Sequence, residues 1–147
     1  MKLYSTNNKD LRVSFQDAVF NSLPQDKGLY MPEVIPNLDP LFIKNIQQYS
    51  LHEIALAVAT ALIGDDIPKE DLKKIVEDAI NFDAPVKFLD AETGVLELFH
   101  GPSYAFKDFG ARFMSRVMGY FSKQGDKLLD VLVATSGDTG GAVALGF

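Results

Sequence analysis

The sequence contains no cysteine in 147 residues, and its only histidines are His52 and His100. The lack of thiols excludes a disulfide scaffold, a zinc–thiolate site, an iron–sulfur cluster and a cysteine nucleophile. Two histidines 48 residues apart, without thiols, make a poor metal site, so we expect no metal. The absence of cysteine also agrees with a reducing compartment, and we expect a cytoplasmic protein.

Long apolar runs and a basic overall charge are also lacking. The longest uncharged apolar stretch, residues 54–64, has eleven residues and is too short to cross a bilayer. The opening residues MKLYSTNNKD have no apolar core, which argues against a secretory signal there. The formal net charge of −6 argues against nucleic-acid binding, which needs a basic surface. We therefore expect neither a nucleic-acid partner nor a membrane partner.

The charge is unevenly distributed along the chain. Residues 100–124 contain one acidic and four basic residues, whereas the rest contains 19 acidic and 10 basic residues. A basic segment in an acidic protein could bind a small anion, and it could equally be a solvated helix face. Both interpretations stay open on charge alone. The four basic residues are Lys107, Arg112, Arg116 and Lys123.

We predict that residues 1–84 form an amino-terminal region with a helical hairpin. Its first part, residues 1–50, is predicted to be irregular because four prolines interrupt it. Within that part, Ser14 and Asp17 predict the start of a short helix, since a serine followed by an acid three residues later resembles a capping box. A turn then leads into a short extended piece predicted over residues 29–32.

The predicted hairpin consists of two amphipathic helices. Ser50 and Glu53 form a capping box that predicts a helix ending at a left-handed Gly64. Residues 68–80 predict a second helix with one apolar and one charged face. Neither helix carries visible chemistry.

After Pro85 the pattern changes from helical periodicity to strands. Residues 86–89 and 95–99 predict two strands around a turn, and residues 129–134 predict a buried strand. The segment between them predicts a long helix over 109–123, capped by Asp108, with four apolar side chains on its buried face. These side chains are Phe109, Phe113, Val117 and Phe121.

The last predicted elements are a glycine-rich loop over 135–141 and a helix after it. Strand, helix, strand, loop and helix in this order predict a βαβα unit with a parallel sheet, so the fold class is α/β. We interpret residues 85–147 as the start of an α/β domain that is incomplete.

The last predicted helix stops at Phe147 without a cap or a following strand. A doubly wound sheet needs more strands than the chain supplies, so we expect part of a longer protein; a short natural terminal helix is the alternative. The apolar faces of 109–123 and 129–134 would then lack covering elements. We expect them to be exposed and to favour self-association.

Lys107 is the strongest candidate for chemistry. It lies among Tyr104, Phe106 and Phe109, where an ammonium would be poorly solvated, and just ahead of the positive end of a helix. Both effects destabilise the charged form and favour the neutral amine that a Schiff-base lysine requires. Asp108 acts in the opposite direction. A surface lysine before a capping aspartate is the common alternative.

The loop over 134–141 is the second candidate. A strand that enters a helix through small residues presents free backbone N–H groups to an anion, and Ser136 and Thr139 add hydroxyl donors. The segment does not match the motifs for nucleoside triphosphates or dinucleotides. A capped helix that binds nothing is the alternative. Next to Lys107, however, such a loop would lie where open α/β sheets bind ligands.

These two segments carry a resemblance to a known family. LELFHGPSYAFKDFGARFM (residues 96–114) and VATSGDTGGAVA (residues 133–144) resemble the threonine synthases, which are fold-type II pyridoxal-phosphate enzymes. MKLYST at the start, VSFQDAV (residues 13–19) and KGLYMP (residues 27–32) are similar to the small opening domain of that family. The resemblance implies pyridoxal 5'-phosphate as cofactor and the conversion of O-phosphohomoserine and water into threonine and phosphate.

The resemblance also implies roles for individual residues. The family's cofactor lysine falls on Lys107, which would hold the cofactor aldehyde and later act as an acid and base. Ser136, Gly137 and Thr139 fall where related enzymes bind the substrate carboxylate. Asp138 falls beside the cofactor ring, where relatives of other specificity have asparagine; an ionised aspartate there would repel both anions, so its role stays open.

The same resemblance limits what this chain can do alone. The family's cofactor-phosphate loop and most of its large domain fall beyond Phe147, so we expect 1–147 by itself to be inactive. Three alternatives remain: a threonine or serine dehydratase, a non-catalytic ligand-binding protein that keeps the framework, and a purely structural fragment. The dehydratase is disfavoured because its usual serine falls on Ala105. The ligand-binding alternative is disfavoured because a lysine stays at 107.

Overall fold

The computed structural model describes residues 1–122 and 129–147, which divide into two compact units. The first unit comprises Met1–Lys74 and the second Ile75–Phe147. This division precedes the boundary after residue 84 that the sequence suggests, and the domain boundary at 84/85 stays a prediction.

The first unit contains a three-stranded antiparallel sheet, of which the sequence predicted only the extended piece over 29–32. Strands β1 (Lys2–Ser5), β2 (Arg12–Ser14) and β3 (Tyr30–Pro32) are arranged in the order β2-β1-β3. Leu3 pairs with Val13 on one side and with Pro32 on the other. The prediction of an irregular opening segment is therefore wrong here. Strands of three or four residues carry too short an alternation to be recognised, and their pairing is with distant residues.

Three helices of the first unit begin at side-chain caps. In α1 (Phe15–Asn21), the Ser14 hydroxyl accepts a hydrogen bond from the Asp17 N–H at 3.0 Å, as predicted. In α2 (Pro40–Lys44), Asp39 caps the Leu41 N–H, and a short 3-10 helix follows over Ile46–Gln48. The third helix, α3, spans Leu51–Ile63.

The predicted capping box of α3 is confirmed. Ser50 accepts from the Glu53 N–H, and the Glu53 carboxylate accepts from the Ser50 N–H. These bonds from the backbone and side chain of Ser50 hold the pKa of Glu53 below its ordinary value. The prediction of a left-handed Gly64 is wrong, because the φ of this residue is −63°, which is right-handed and continues the helical turn.

The core of the first unit is apolar, and each fully buried leucine or isoleucine contributes roughly 1.5–3 kcal/mol. Ser5 is the buried polar exception; its hydroxyl donates to Asp26 at 2.7 Å, so that burial leaves the hydroxyl hydrogen bonded. Helix α4 (Lys69–Ala79) is also confirmed and begins just after Pro68. The buried apolar residues of the unit are Leu3, Ala18, Ala59, Ile63, Ile67 and Leu72.

The second unit opens with a β-hairpin. Strands β4 (Val86–Phe88) and β5 (Gly94–Leu96) pair antiparallel, with Lys87 opposite Val95. Asp90 shapes the connecting turn, since its carboxylate accepts from the backbone N–H groups of Glu92 and Thr93. These bonds lower the pKa of Asp90. The two predicted strands and their turn are confirmed, although the second strand ends at Leu96 and not at residue 99.

Helices α5 (Lys107–Ser122) and α6 (Asp138–Gly146) pack against each other in the second unit. The predicted long helix is thus confirmed, two residues earlier at its start; Lys123, its predicted end, lies outside the described residues. Val117 and Phe121 are buried as predicted, whereas Phe109 and Phe113 are only half-buried. Other buried residues of this unit include Ile75, Val76, Ala79, Met118 and Ala142.

The fold is mixed α/β, as predicted, but the predicted parallel sheet is not found in the described residues. Residues 129–134 are not a strand, and Leu132 is 94% exposed. A strand needs a neighbour for its backbone hydrogen bonds, and both sheets within the described ranges pair antiparallel strands elsewhere. The prediction of a buried strand over 129–134 is therefore wrong in this chain.

Candidate functional site

The loop that precedes Lys107 is closed by a β-turn. The Tyr104 N–H donates to the Gly101 carbonyl at 3.0 Å, with Pro102 at the second position, where proline is favoured. Tyr104 has a φ of 58°, in the left-handed region that costs a non-glycine residue about 1 kcal/mol or more. The loop is thus held in a strained conformation by its surroundings.

Asp108 is the residue that binds this loop to the start of α5. Its side chain is fully buried, and its Oδ2 accepts a hydrogen bond from the Ser103 N–H at 2.9 Å. Its own N–H donates to the Ala105 carbonyl at 3.1 Å. The prediction that Asp108 caps α5 from outside is wrong: it lies within the first turn, and its carboxylate binds the loop instead of a helical amide.

Lys107 is the first residue of α5 and is half-buried. Its Nζ lies 4.2 Å from the centre of the Phe106 ring. A ring face at this distance attracts an ammonium group, so the contact with Phe106 favours this position of the side chain. Tyr104 and Phe106 are 81% and 57% exposed, so this aromatic surface is open to solvent.

His100 lies seven residues before Lys107 and has two local contacts. Its Nε2 is 2.8 Å from the Glu97 carboxylate, and its ring stacks on Phe99 at 4.8 Å. Both contacts orient the imidazole within its own segment. A ligand role for His100 has no observation to support it.

In the second candidate segment, helix α6 begins earlier in the chain than predicted. The loop was expected to extend to residue 141, but the helix begins at Asp138, because Gly137 adopts a φ of 149° that only glycine accommodates easily. The first helical bond joins the Gly141 N–H to the Gly137 carbonyl. The N–H groups of Asp138, Thr139 and Gly140 therefore precede the helical ladder and are available to an anion.

Two of the four basic residues in the positively charged segment have structural partners. Arg112 is buried and donates to the Ala79 and Asp78 carbonyls at 2.8 and 2.6 Å. Arg116 pairs with the Asp78 carboxylate at 2.8 Å and donates to the Gly146 carbonyl at 2.6 Å. These two arginines cap helix ends, so they do not support the interpretation of the segment as an anion site.

Helices α5 and α6, which follow the two candidate segments, pack against each other. The recorded close contacts between α5 and α6 join the Ala111–Arg116 region to Gly146 at the far end of α6. That Lys107 faces Ser136, Gly137, Asp138 and Thr139 stays a prediction. Those four residues lie at the exposed start of α6, apart from the half-buried Thr139.

The sequence analysis missed the organising role of Asp108 and its contact with Gly101. A Cβ added to Gly101 would lie 2.8 Å from the Asp108 Cβ and 2.9 Å from its Cγ. The available signal was a glycine and a proline followed by an aspartate in the first helical turn. That signal is indistinguishable from an ordinary cap until the loop geometry is known.

Within residues 1–122 and 129–147, no group of three or more histidine, aspartate or glutamate side chains could hold a metal ion. No helix there is long and apolar enough to cross a membrane.

Comparisons with known proteins place this fold. The crystal structure of threonine synthase from Escherichia coli matches with a TM-score of 0.92 and 41% identity, covering 100% of this chain and 34% of that one. The structure of threonine synthase with bound pyridoxal phosphate from Brucella melitensis matches with a TM-score of 0.92, at 38% identity and 33% coverage of that chain. The fold is that of the opening part of a fold-type II pyridoxal-phosphate enzyme.

Sequence comparison then gives the family. The model of the threonine synthase N terminus matches residues 2–80, more than half of the chain. Threonine synthase of Escherichia coli (strain K12) is 42% identical over 147 residues, which are 100% of this chain and 34% of that protein. The chain belongs to the threonine synthase N-terminus family, and it spans about a third of the length of the curated relatives it matches.

Proposed function

We propose that the chain supplies the opening third of a threonine synthase and carries its cofactor lysine, Lys107. The match over the whole chain to threonine synthase structures carries this proposal. The loop that presents Lys107 supports it, because a turn, a buried carboxylate and a strained tyrosine fix the position of one amine. The reaction would convert O-phosphohomoserine and water into threonine and phosphate.

The described residues fit the chemistry of pyridoxal phosphate, which is an anionic aldehyde. A half-buried amine at Lys107 can attach to the aldehyde while remaining reachable. The free N–H groups of residues 138–140 at the positive end of α6 can bind an anion. When bound, the cofactor supplies a ring that withdraws electrons from the substrate carbon.

The proposed roles of the chain's own residues follow from these donors. Lys107 would hold the cofactor through its amine and, as a free amine, would move protons between neighbouring substrate carbons as an acid and base. Ser136, Gly137 and Thr139 bind the substrate carboxylate through hydroxyl and backbone donors.

Asp138 is proposed to lie beside the cofactor. Its carboxylate is favoured in the first turn of α6 by the helix dipole, which supplies a structural reason for an acid there. The same negative charge repels a second anion, so the neighbouring amides must outweigh that repulsion for the site to bind a carboxylate.

The proposal extends to the partner and the cellular location. The partner is a small molecule, O-phosphohomoserine, and the exposed apolar residues of 129–133 favour self-association of the chain. We also propose a cytoplasmic location, which the lack of cysteine supports.

A chimera tests this function directly. This chain would replace the aligned first third of Escherichia coli threonine synthase, and the chimera would be assayed for phosphate and threonine formation from O-phosphohomoserine. We expect both products, with Lys107→Ala inactive and Lys87→Ala, an exposed lysine in the same unit, active. The chain 1–147 alone is expected to form no detectable threonine.

The alternatives give different results in the same chimera. A dehydratase would release ammonia from threonine or serine and leave O-phosphohomoserine unchanged. A ligand-binding protein would bind substrate or cofactor without product formation. A folded chimera that is inactive on O-phosphohomoserine would contradict the proposal.

A further inference from the structure

We propose that Asp108 is a positioning residue that holds Lys107 in place by closing the loop over residues 101–106. This inference rests on the proposed role of Lys107 as the cofactor lysine. Asp108 itself is fully buried, so it acts through the loop and the helix start and does not contact the ligand.

The first step is the connection between the carboxylate and the turn. Residues 101–104 form a β-turn closed by the Tyr104 N–H and the Gly101 carbonyl. The N–H of Ser103, inside this turn, donates to Asp108 Oδ2 at 2.9 Å. A charged acceptor makes this bond stronger than a bond between neutral groups. The turn is thereby tied to the first turn of α5.

The second step is the close contact between Gly101 and Asp108. Gly101 lies so close to Asp108 that a Cβ would meet the aspartate Cβ at 2.8 Å and Cγ at 2.9 Å. The turn and the carboxylate therefore fit together only when residue 101 is glycine. A contact this close transmits a change at either residue to the other.

The third step is what the connection fixes. Tyr104 keeps a φ of 58°, a conformation that persists only where the surrounding contacts impose it. Lys107 follows three residues later and begins α5 directly beside Asp108. Adjacent helical residues point about 100° apart, so Asp108 can face the interior while Lys107 stays half-exposed.

The second carboxylate oxygen of Asp108, Oδ1, shows why Asp108→Asn is the conservative variant. Among the described residues, Asp108 Oδ1 is buried without a hydrogen-bond partner. Asparagine can therefore keep an acceptor oxygen for Ser103 and place its amide nitrogen at the Oδ1 position without displacing a donor. Asp108→Asn should preserve the positioning, and Asp108→Ala should remove it.

Two measurements test the proposal. Hydrogen exchange of the Ser103 N–H is measured in the full chain without cofactor, and the rate of pyridoxal-phosphate attachment to Lys107 is measured in the chimera after borohydride reduction. In Asp108→Ala we expect exchange to become about tenfold faster and attachment about tenfold slower, the loss expected for one charge-assisted bond. Asp108→Asn, which keeps a neutral acceptor for Ser103, should restore most of each rate, and Gly101→Ala should reproduce the alanine result. Asp83→Ala, at an exposed residue, is the matched control.

The outcomes separate this proposal from the proposed function. Normal exchange and attachment in a folded Asp108→Ala variant would overturn the positioning role, as would failure of Asp108→Asn to rescue a folded protein. Circular dichroism reports whether each variant folds; if Asp108→Ala does not, Gly101→Ala and Asp108→Asn decide. If the unmutated chimera attaches no cofactor at Lys107, the proposed function fails, and Ser103 exchange alone decides whether Asp108 holds the loop.

Discussion

At the scale of single residues, the buried guanidinium of Arg112 shows how a charge is used for structure. It donates to the Ala79 carbonyl at 2.8 Å, the Asp78 carbonyl at 2.6 Å and Asn81 Oδ1 at 3.1 Å. These carbonyls belong to the last turn of α4, where backbone acceptors have no helical partners. Arg112 therefore caps α4 from α5, and its planar fork suits several acceptors at once.

Replacing Arg112 should cost more than replacing its neighbour Arg116. We expect Arg112→Met to lower the free energy of unfolding by about 2–4 kcal/mol, because buried carbonyls lose charged donors. Arg116→Met should cost about 1 kcal/mol, since that side chain is 23% exposed and its partner Asp78 62% exposed. Urea unfolding followed by circular dichroism measures both. Equal losses for the two variants would contradict the assignment.

The residue scale also shows what the sequence could and could not predict about the site. Lys107 and the segment 136–139 were identified from residue types, because an amine among aromatics and small residues before a helix are local signals. The role of Asp108 was missed, since it depends on where the Ser103 N–H points after the loop has folded. The sequence also left open whether Arg112 and Arg116 bind an anion, because the carbonyls to which they donate are distant in sequence.

At the scale of elements, local signals predicted helices well and strands poorly. The caps at Ser14 and Ser50 lie within three residues of their partners, so the sequence itself contains the interaction. The sheet in the first unit joins Leu3 to Val13 and Pro32, which no local pattern specifies. The hairpin of β4 and β5 was predictable because its turn is short.

The close approach of α6 to α5 requires glycine at position 146 and does not require it at position 141. A Cβ on Gly146 would lie 3.3 Å from the Ala111 carbonyl oxygen, whereas one on Gly141 would meet nothing within 4 Å. We expect Gly146→Val to destabilise the second unit by about 1–3 kcal/mol through overpacking. Gly141→Ala should instead stabilise it by about 0.5–1 kcal/mol, because alanine favours the helix.

Thermal unfolding of the two variants measures this difference. A Gly146→Val protein as stable as the unmutated chain would mean that α6 does not approach α5 as closely as described. The comparison uses the same helix and the same original residue, and the difference combines the packing at Gly146 with the helix propensities of valine and alanine.

At the scale of the whole molecule, each unit has its own buried residues, and the second also has a surface that is strongly apolar. Leu132 is 94% exposed, and Leu129, Val131 and Val133 are between 40% and 42% exposed. An open cleft of about 620 Å³ adjoins this surface, with Leu129, Val131 and Phe147 among its lining residues. The predicted exposure is confirmed for this segment and is wrong for the apolar face of α5, where Val117 and Phe121 are buried. Self-association stays a prediction.

A charge at position 132 should test that association. We expect Leu132→Glu to reduce the apparent mass of the chain at high concentration without loss of stability, because an almost fully exposed side chain has little burial to lose. Sedimentation velocity over a concentration series measures the mass. Leu23→Glu, at a leucine 60% exposed in the first unit, is the control and should leave association unchanged. A concentration-independent monomer before mutation would contradict this prediction.

The most direct test of the central claim is the site at which pyridoxal phosphate becomes attached. In the chimera, borohydride reduction followed by peptide mass spectrometry should find the cofactor on Lys107. Lys107→Arg, which keeps the positive charge, should abolish that labelled peptide, and Lys87→Arg should leave it unchanged. Cofactor attached to a different lysine, or full threonine formation by the Lys107→Arg chimera, would contradict the account.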